Sequence, residues 1–600
     1  MNSSGTKSSH KKFKILPMTV LSLALASLSY AGGKEESSVL TGKELAERYC
    51  TSCHLLPNAS DVPKEFWPVV VQWMGAYLGM KGDELEGIEM GPPAPAEIDT
   101  ADDYTISFVM MEKEGFLGLK RYFNIKRYYS DYVPSERVIS KAEFQRIADY
   151  FVDNARPAAE MIKPLPDHPG VNGFTPVVPE LELEPNALVL SFAVDEKKQQ
   201  LYVGRGVTDD WVGTGRPGYE DYDDLVVLDL NSGKRLGEMR LESDPNNLEL
   251  TETGVRVAIH GEMPLIKGAG EGKVLDVNGL DTGSPSTQTL VKGVHRVVLH
   301  HTEDFNGDGL DDILTHGFGD GMFQDYGGFG SVFWQTQKSA ELCKGVPAQT
   351  AGKDGKCSET FRKTQLIDHV GMVGSAVGDL NQDGRPDIVL LMAQAQQQVL
   401  AYINNGDETF TKHVIAKYTP SHGGNTVEIA DFDNDGLMDI AALNGDHPGG
   451  NHVGPGRPHP RAHHGLRIYK NMEDLVFKEH RIYNMHGAIR SVAEDFDNDG
   501  DLDIAMISLY PDWSWDVPET FVYLENSGDL KFIPHSLPKD KFGIWATIEK
   551  GDVNADGKKD IILGSGSNFF PLVPDSWVEH KIMDGRDENT PTVMYLLNEH

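Results

Sequence analysis

Short apolar stretches separated by polar turns make up the chain from about residue 186 onward. A nine-residue acidic segment recurs there, and each copy runs directly into an apolar stretch such as 388–391 or 504–507. A second apolar stretch with an aromatic residue at its centre follows. Stretches of this length, bounded by Gly, Asn and Asp, are typical of β-strands. Four such strands in each unit of roughly 60 residues predict the blades of a β-propeller.

The acidic segment marks five of these units, and two degenerate units without it precede the first copy. Together they predict an all-β, seven-bladed propeller over residues 186–600. The expected blades are residues 188–243, 244–295, 296–368, 369–418, 419–485, 486–540 and 541–600. Residues 161–185 contain many prolines and show no helical period, so we interpret them as a linker.

The N-terminal part has a helical period, which predicts a small all-α domain over residues 38–160. Residues 41–49 form a short predicted helix, and residues 67–80 form another. In a third helix, Ser140 is the expected N-cap with Glu143 three residues on. The apolar positions of this third helix fall on one face: Phe144, Ile147, Ala148 and Phe151.

The first 31 residues have the composition of a secretory signal peptide. Four lysines precede an apolar stretch, residues 15–28, and Ser29 and Ala31 supply the small residues of a cleavage site. A permanent membrane anchor is the alternative, but the apolar stretch is shorter than the ~20 residues that a bilayer span needs. We therefore expect a periplasmic or secreted protein whose mature chain has no transmembrane anchor.

The charge balance is strongly acidic, with 55 Lys and Arg against 91 Asp and Glu and a formal net charge of -36. Such a surface repels phosphate backbones, which excludes nucleic acid as a partner. Four cysteines in 600 residues exclude a disulfide-rich scaffold. Cys343 and Cys357 lie in one insertion. In an oxidising compartment they are expected to form a disulfide, and two free thiols are the alternative.

The other two cysteines belong to a C-x-x-C-H motif, formed by Cys50, Cys53 and His54. Two thiols about one helical turn apart reach the two vinyl groups of one porphyrin, and the adjacent histidine offers its imidazole to the iron. A redox disulfide or a thioredoxin-like pair is the alternative, but no βαβ pattern surrounds the motif. The motif therefore predicts covalently bound haem c.

A methionine is the predicted sixth ligand of the iron, because a thioether opposite a histidine raises the potential and favours electron transfer. Met74 is the first candidate and Met80 the second. Met90, Met110 and Met111 are further alternatives, as is a site without a sixth ligand. The alternative role of each methionine is packing in a core.

The N-terminal part resembles a class I cytochrome c domain over about residues 38–160. The features that carry the resemblance are a helix ending in C-x-x-C-H, a methionine-bearing middle and a closing helix with an aromatic pair. The resemblance implies haem c and a role in electron transfer.

The acidic segment keeps the same oxygen-bearing positions in all five copies. Asp or Asn fills positions 1, 3 and 5, glycine fills position 6 and Asp fills position 9. The copies, here called the first to fifth acidic loops, are residues 304–312, 379–387, 431–439, 495–503 and 552–560. Oxygens at positions 1, 3, 5 and 9, with the carbonyl of position 7, can wrap one hard cation, and glycine at position 6 allows the sharp turn.

Calcium is the expected ion, because a flexible cage of protein oxygens suits it better than magnesium. Two carboxylates ~4 Å apart repel by about 4 kcal/mol at an effective dielectric constant of about 20, so the loops favour a counter-ion. Up to five calcium sites are predicted, and solvated turns are the alternative. The expected ligands are Asp304, Asn306, Asp308, Leu310, Asp312, Asp379, Asn381, Asp383, Arg385, Asp387, Asp431, Asp433, Asp435, Leu437, Asp439, Asp495, Asp497, Asp499, Asp501, Asp503, Asp552, Asn554, Asp556, Lys558 and Asp560.

These repeats resemble the FG-GAP/VCBS family, the calcium-binding blades of integrin-type β-propellers, over about residues 296–600. That family is mainly a scaffold for extracellular interaction, so the resemblance implies a docking surface. The whole architecture is similar to that of exported bacterial proteins that join a haem c domain to such a propeller.

Two groups of histidines are open to more than one interpretation. His300 and His301 precede the first acidic loop and are expected in a strand near a propeller face. Residues 445–465 are rich in glycine and proline, so they form either an exposed loop or a set of ligands for a transition metal or a second haem. The histidines of this segment are His447, His452, His459, His463 and His464.

Three functions fit these features. The leading hypothesis is an exported haem c electron-transfer protein whose propeller docks a redox partner protein or a small-molecule substrate. The first alternative is a periplasmic oxidoreductase with a substrate pocket in the propeller and haem c as its electron relay. The second alternative is an adhesion or interaction module. The sequence lacks the tryptophan docking repeats of quinoprotein propellers.

Overall fold

Seven four-stranded antiparallel sheets follow one another along the chain and form the predicted seven-bladed β-propeller. The computed structural model describes residues 40–51, 55–61, 64, 67, 70, 71, 74, 75, 78–80, 136–157, 168–184, 187–206, 224–261, 272–294, 296–318, 330–335, 361–367, 369, 371–393, 396–419, 422–445, 463–509, 511, 519–538, 543–566 and 591–600. It also gives the backbone of residues 105–109 and 120–124. The predicted signal peptide, residues 1–31, lies outside the described residues.

Two α-helices of the described chain belong to the N-terminal part. α1 (Gly42–Tyr49) and α2 (Lys141–Asn154) each begin at a capping box, in which the N-cap side chain and a glutamate three residues on satisfy backbone N–H groups. The predicted cap of α2 is confirmed, and so is its buried face: Phe144, Ile147, Ala148 and Phe151. No helix in the described part of the chain is long and apolar enough to cross a membrane.

The helical part has a core of its own. α1 packs against α2, and the fully buried Trp67 stacks on Phe151 with ring centroids 4.1 Å apart. The indole Nε1 of Trp67 donates to the carbonyl of Ala59 at 2.7 Å. In chain order, an antiparallel pair of strands lies between Trp67 and α2: β1 (Thr105–Val109) and β2 (Lys120–Asn124). The expectation of a purely α domain over residues 38–160 was therefore incomplete, because β-branched and aromatic residues in both segments favour strands.

Gly42 is the point of closest approach between the two helices. A Cβ atom on this residue would collide with the carbonyl oxygen of Arg146 and lie 2.8 Å from the Cβ of Tyr150. A Gly→Ala change gains up to about 1 kcal/mol of helix propensity in a helix interior. Here the collision with a backbone carbonyl outweighs that gain, because backbone cannot move aside as a flexible side chain would.

We expect Gly42→Ala to lower the free energy of unfolding of the helix pair by about 1–3 kcal/mol, the usual cost of overpacking. Hydrogen exchange of the α2 amides measures the change. Lys43→Ala, at an exposed neighbouring position, is the matched control and should leave the exchange rates unchanged. Equal exchange rates in the two variants would contradict the close approach.

The propeller consists of 28 strands in seven sheets. Its strands are β3 (Phe174–Val177), β4 (Leu188–Asp195), β5 (Gln200–Gly206), β6 (Asp224–Asp229), β7 (Arg235–Arg240), β8 (Pro245–Leu250), β9 (Gly254–Ile259), β10 (Gly272–Asn278), β11 (Ser286–Val294), β12 (Val297–Glu303), β13 (Asp312–Gly317), β14 (Gly330–Gln335), β15 (Phe361–Ile367), β16 (Met372–Gly378), β17 (Asp387–Met392), β18 (Gln398–Asn404), β19 (Phe410–Lys417), β20 (Gly424–Ala430), β21 (Asp439–Asn444), β22 (Gly465–Asn471), β23 (Phe477–Tyr483), β24 (Ala488–Glu494), β25 (Asp503–Ser508), β26 (Phe521–Asn526), β27 (Phe532–Ser536), β28 (Trp545–Gly551), β29 (Asp560–Ser565) and β30 (Val593–Asn598).

The blades are β4–β7, β8–β11, β12–β15, β16–β19, β20–β23, β24–β27 and, last, β28–β30 with β3. Each of the first six therefore falls within its predicted boundaries. The seventh is completed by β3, which pairs antiparallel with β30 from Phe174 opposite Asn598 to Val177 opposite Tyr595. This strand lies inside the segment that we interpreted as a linker. The N-terminal end of the propeller thus closes the ring on its C-terminal end.

The apolar core of the propeller lies between neighbouring blades. Seven clusters of buried residues each combine side chains of two consecutive blades, including the pair formed by the seventh and the first. In every blade except the second, all residues of the second strand are buried, as in β17 and β25. Both faces of these strands pack against a neighbouring sheet. Every blade therefore depends on both of its neighbours.

Candidate functional site

Each acidic loop connects the first strand of a blade to the second. The aspartate at position 1 accepts the backbone N–H of the position-6 glycine, at 2.8 Å in the first three loops, 3.1 Å in the fourth and 2.9 Å in the fifth. This contact folds the loop around its own carboxylates. The position-6 glycines have φ angles of 81–97°, which favour glycine, so the predicted reason for that residue is confirmed: Gly309, Gly384, Gly436, Gly500 and Gly557.

The aspartate at position 9 is the most buried member of each loop. Asp387, for example, is fully buried, and it accepts the backbone N–H of Leu380 at 2.9 Å and of Asn404 at 2.8 Å, one on each carboxylate oxygen. Burial raises the pKa of the Asp387 and Asp560 carboxyls to about 6, and that of the Asp439 and Asp503 carboxyls to about 7. The desolvated charge at position 9 is therefore costly unless a cation stands beside it.

The asparagine that ends the third strand links each loop to the loop of the preceding blade. In blade 4 the Nδ2 of Asn404 donates to the carbonyl of Phe305, in the first loop, at 2.7 Å and to that of Pro386 at 3.1 Å. The same pair of bonds recurs in the three following blades, from Asn471, Asn526 and Asn598. Sequence reasoning missed this role, although the recurring Asn two or three residues after the strand tyrosine was the signal for it.

Among the described residues, the carboxylate oxygens of the acidic loops cluster most closely in the third and fourth loops. Carboxylate oxygens of Asp431, Asp433 and Asp439 all lie within 4.8 Å of one another in the third loop, and three aspartates of the fourth loop do the same. In each of these loops one buried carboxylate oxygen has no hydrogen-bond partner among the described residues, namely Oδ1 of Asp433 and Oδ1 of Asp495. Hard oxygens clustered in this way suit calcium.

We expect calcium to stabilise the chain more at about pH 8 than at about pH 5. Four of the position-9 carboxyls, those of Asp387, Asp439, Asp503 and Asp560, have pKa values raised from 3.8 to about 6 or 7 in the folded chain. Without metal, their protonated form contributes stability at low pH, and that contribution is lost as the pH rises through these values. Calcium competes with these protons, so its stabilising effect grows over the same interval.

Thermal unfolding in calcium and in EDTA at both pH values measures the effect. A calcium-induced rise in Tm that is the same at both pH values would contradict a role for the position-9 carboxyls. Asp229→Asn is the control, because Asp229 is a half-buried turn aspartate outside the acidic loops.

Cys50 lies directly after α1, as the motif predicted, and is the C-cap of that helix. Its thiol is half-buried and forms no disulfide within the described chain, and burial raises its pKa to about 12, so the thiol stays protonated. A protonated, uncommitted thiol at the end of a helix fits thioether attachment to a porphyrin vinyl group. Cys53 and His54 lie outside the described residues.

The candidate methionines differ in their surroundings. Met74 is half-buried, whereas Met80 is 1% exposed and donates its backbone N–H to the carbonyl of Gly75 at 3.0 Å. Met90, Met110 and Met111 lie outside the described residues. The assignment of Met74 as the sixth ligand stays a prediction.

The segment that follows the C-x-x-C-H motif contacts the propeller. The backbone N–H of Leu55, the residue next to His54, donates to the carbonyl of Tyr418 at 3.1 Å. Six residues further on, the carboxylate of Asp61 pairs with Nε2 of His463 at 2.9 Å. Tyr418 follows the outer strand β19 of blade 4 and His463 precedes the third strand of blade 5. The segment that follows the motif thus lies beside the junction of these two blades.

The propeller presents a cluster of aromatic and basic side chains at this junction. His422 stacks on Tyr418 with ring centroids 4.9 Å apart, and the His463 ring lies 4.6 Å from that of His422. The phenol of Tyr469 donates to the phenol of Tyr418 at 2.7 Å. The Arg467 guanidinium lies 5.8 Å from the centre of the Tyr418 ring. We call these five residues the junction cluster.

Burial shapes the charge of the junction cluster. It lowers the pKa of His422 to about 2, with the Arg467 guanidinium contributing, so this imidazole is neutral. Burial also raises the pKa of the Tyr418 phenol to about 12. The cluster therefore combines a neutral imidazole, two protonated phenols and a guanidinium whose charge Glu479 balances at 3.2 Å, a set that can bind and orient a polar group.

The structure describes only part of the histidine-rich segment, residues 445–465. His447, His452 and His459 lie outside the described residues. His464 is fully buried beside His486, with ring centroids 4.7 Å apart.

His300 and His301 lie in β12, as predicted, where His301 Nε2 is 2.9 Å from the Ser375 hydroxyl. The predicted pair Cys343 and Cys357 also lies outside the described residues.

Comparison with known proteins identifies the repeats. The FG-GAP-like repeat family matches residues 373–442 and 495–563, which contain the second to fifth acidic loops. No curated protein matches the chain. Among solved structures, a luciferin-regenerating enzyme is 10% identical over 56% of this chain and 88% of that chain, with a TM-score of 0.29. Sqt1 of Saccharomyces cerevisiae is 9% identical over 69% of this chain and 96% of that chain, with a TM-score of 0.37.

FG-GAP repeats on a seven-bladed propeller indicate an interaction or binding module. The predicted propeller and repeats are therefore confirmed.

Proposed function

We propose that this chain is an exported haem c electron-transfer protein whose calcium-stabilised propeller docks a partner or substrate beside the haem. The observation that carries the proposal is a contact of Leu55, the residue after the C-x-x-C-H motif, whose backbone N–H is hydrogen-bonded to the carbonyl of Tyr418 in the propeller. A haem tethered there would lie against the junction of blades 4 and 5. A ligand held at this junction would exchange electrons over a short distance.

The residues have separate roles in this proposal. Cys50 and Cys53 form the thioether bonds, and His54 offers its imidazole to the iron, with Met74 as the expected opposite ligand. The bound haem supplies an iron that cycles between the ferric and ferrous states. Leu55 and Asp61 hold the tethered segment in place through Tyr418 and His463. The acidic loops that bind calcium hold the blades in register.

A second candidate is a periplasmic oxidoreductase, and the junction cluster is the observation that favours it. Arg467 also donates to the side-chain oxygen of Asn444 at 2.6 Å and to the carbonyl of His463 at 2.9 Å, which fixes the orientation of its guanidinium. Its Nε also pairs with Glu479 at 3.2 Å, so the held guanidinium and the neutral His422 imidazole can hydrogen-bond and orient a polar substrate. The oxidoreductase requires the His422 imidazole at its substrate, whereas a surface that only docks a partner does not require it.

Protein-film voltammetry of the full exported chain tests the electron-transfer role. We expect one reversible one-electron wave, which is lost in the Cys50→Ser, Cys53→Ser double variant because no haem is attached. Lys43→Ala, an exposed change on α1, is the matched control and keeps the wave. The absence of a wave in the haem-loaded wild-type chain would overturn the proposal.

Turnover separates the two candidates. If the chain oxidises a small substrate and reduces its own haem, His422→Ala should lower the rate while leaving the voltammetric wave unchanged. Binding of a partner without turnover, unaffected by His422→Ala, supports the electron-transfer protein instead.

A further inference from the structure

A lysine side chain of the protein itself lies in the third acidic loop. Lys470, near the end of β22, places its ammonium between two carboxylates of this loop: it forms an ion pair with Asp433 and another with Asp435, the latter at 2.7 Å. These aspartates occupy positions 3 and 5, which would face a bound calcium ion. The ion pair with Lys470 lowers the pKa of the Asp435 carboxyl, so both partners are charged.

The fourth loop has the same four carboxylates and lacks such a lysine. The residue that corresponds to Lys470, immediately before the third-strand asparagine, is Glu525, which is hydrogen-bonded to Nε2 of His535 at 2.8 Å. Among the described residues, no lysine or arginine forms an ion pair with the acidic residues of this loop: Asp495, Asp497, Asp499, Asp501 and Asp503. Burial and the neighbouring carboxylates raise the pKa of Asp497.

A second difference also singles out the fourth loop. In the other four loops the position-5 backbone N–H donates to Oδ1 of the position-1 aspartate, at 3.0–3.1 Å. In the fourth loop the corresponding N–H of Asp499 donates to Asp497 instead, at 3.2 Å. Oδ1 of Asp495 is thereby left buried without a partner among the described residues. Oδ1 of Asp433 in the third loop is also buried without a partner, so what distinguishes the two loops is the lysine.

We propose that Lys470 takes the place of calcium in the third loop, so that this loop departs from the calcium binding expected of the fourth loop. The ammonium balances part of the charge of the third loop and stands where the ion would bind, so calcium has to displace it to enter. The fourth loop has no lysine or arginine partner among the described residues, although the His600 side chain acts on Asp497. This inference rests on the proposed calcium binding of the acidic loops. It assigns different calcium binding to two loops that both have aspartate at positions 1, 3, 5 and 9.

Calcium stoichiometry of the full exported chain tests the inference. The chain is stripped with EDTA and titrated with calcium alone by isothermal titration calorimetry, and bound calcium is also counted by equilibrium dialysis. We expect Lys470→Met to bind one calcium ion more per chain than the wild type. Asp497→Asn should bind one ion fewer, and Asp433→Asn should bind the same number as the wild type. The control is Lys531→Met, which removes an exposed lysine paired with Asp529.

Two failures are distinguishable. If the wild type binds calcium but Lys470→Met binds no additional ion, or Asp433→Asn loses one, the role of Lys470 is wrong and calcium binding stands. If the wild type binds no calcium, the proposed calcium binding itself fails. Circular dichroism of each variant establishes that it is folded, and if Lys470→Met is not, Asp433→Asn decides the question alone.

Discussion

Replacing Phe174 with alanine should open the propeller ring, at a cost of about 3–5 kcal/mol in the free energy of unfolding. Phe174 is 7% exposed and is the first residue of β3, the strand that completes blade 7. Its ring lies edge-on to Phe496 at 5.7 Å and to Tyr523 at 5.2 Å, both in blade 6. The change removes this packing and leaves β3 attached to β30 mainly by backbone hydrogen bonds.

Urea denaturation and limited proteolysis measure the opening of the ring. Val178→Ala is the matched control, since Val178 follows the same strand but is 56% exposed. We expect the control to keep the wild-type midpoint, and Phe174→Ala to expose the N-terminal side of blade 7 to proteases. Equal midpoints for both variants would mean that β3 is not what closes the ring.

Replacing Asn404 with alanine should cost about 2–5 kcal/mol, because the buried carbonyl of Phe305 and the half-buried carbonyl of Pro386 both lose the donor that satisfies them. The effect should reach both blades, since Phe305 belongs to the first acidic loop and Pro386 to the second. Asn404 itself is fully buried.

The neighbouring Asn405 offers the control for this change. It is exposed and bonds only within its own turn, to Thr409 and Thr411, so Asn405→Ala should change stability by less than about 1 kcal/mol. Thermal unfolding of both variants compares them. A loss of stability in Asn405→Ala as large as in Asn404→Ala would show that the turn, and not the contact between blades, holds the loops.

Some parts of this architecture were predictable because their physics is local. The cap of α2 needs Ser140 and Glu143 three residues apart, and each acidic loop needs its ligands within nine residues. Blade boundaries followed because every loop starts a second strand. Patterns of this kind depend on near neighbours in the chain, so the sequence alone displays them.

Other parts were not predictable because they join distant residues. β3 is only four residues long and contains Pro176, so it has no alternation that distinguishes it from a linker. Its pairing with β30 spans more than four hundred residues, and no local signal announces it. The role of Lys470 was hidden for a different reason: a lysine at the end of a strand is ordinary until the fold places it against Asp433.

The left-handed residue at position 4 is a further example. This position has a positive φ angle in all five loops, and the residue there is Gly, Gln, Asn, Asn and Ala in turn. Such variety concealed the shared conformation. Ala555, at φ 59°, has neither the freedom of glycine nor the polar side chain of asparagine, so Ala555→Gly should stabilise the fifth loop slightly.

The central claim of this account is a haem held covalently at Cys50 and Cys53, beside the junction of blades 4 and 5. The most direct measurement is the pyridine haemochrome spectrum of the full chain, purified from a haem-loading host and extracted with acidified acetone to remove non-covalent haem. The account predicts the spectrum of a haem with two thioether bonds, at one haem per chain. A spectrum without any haem band after extraction would contradict the claim and leave the propeller as a binding module alone.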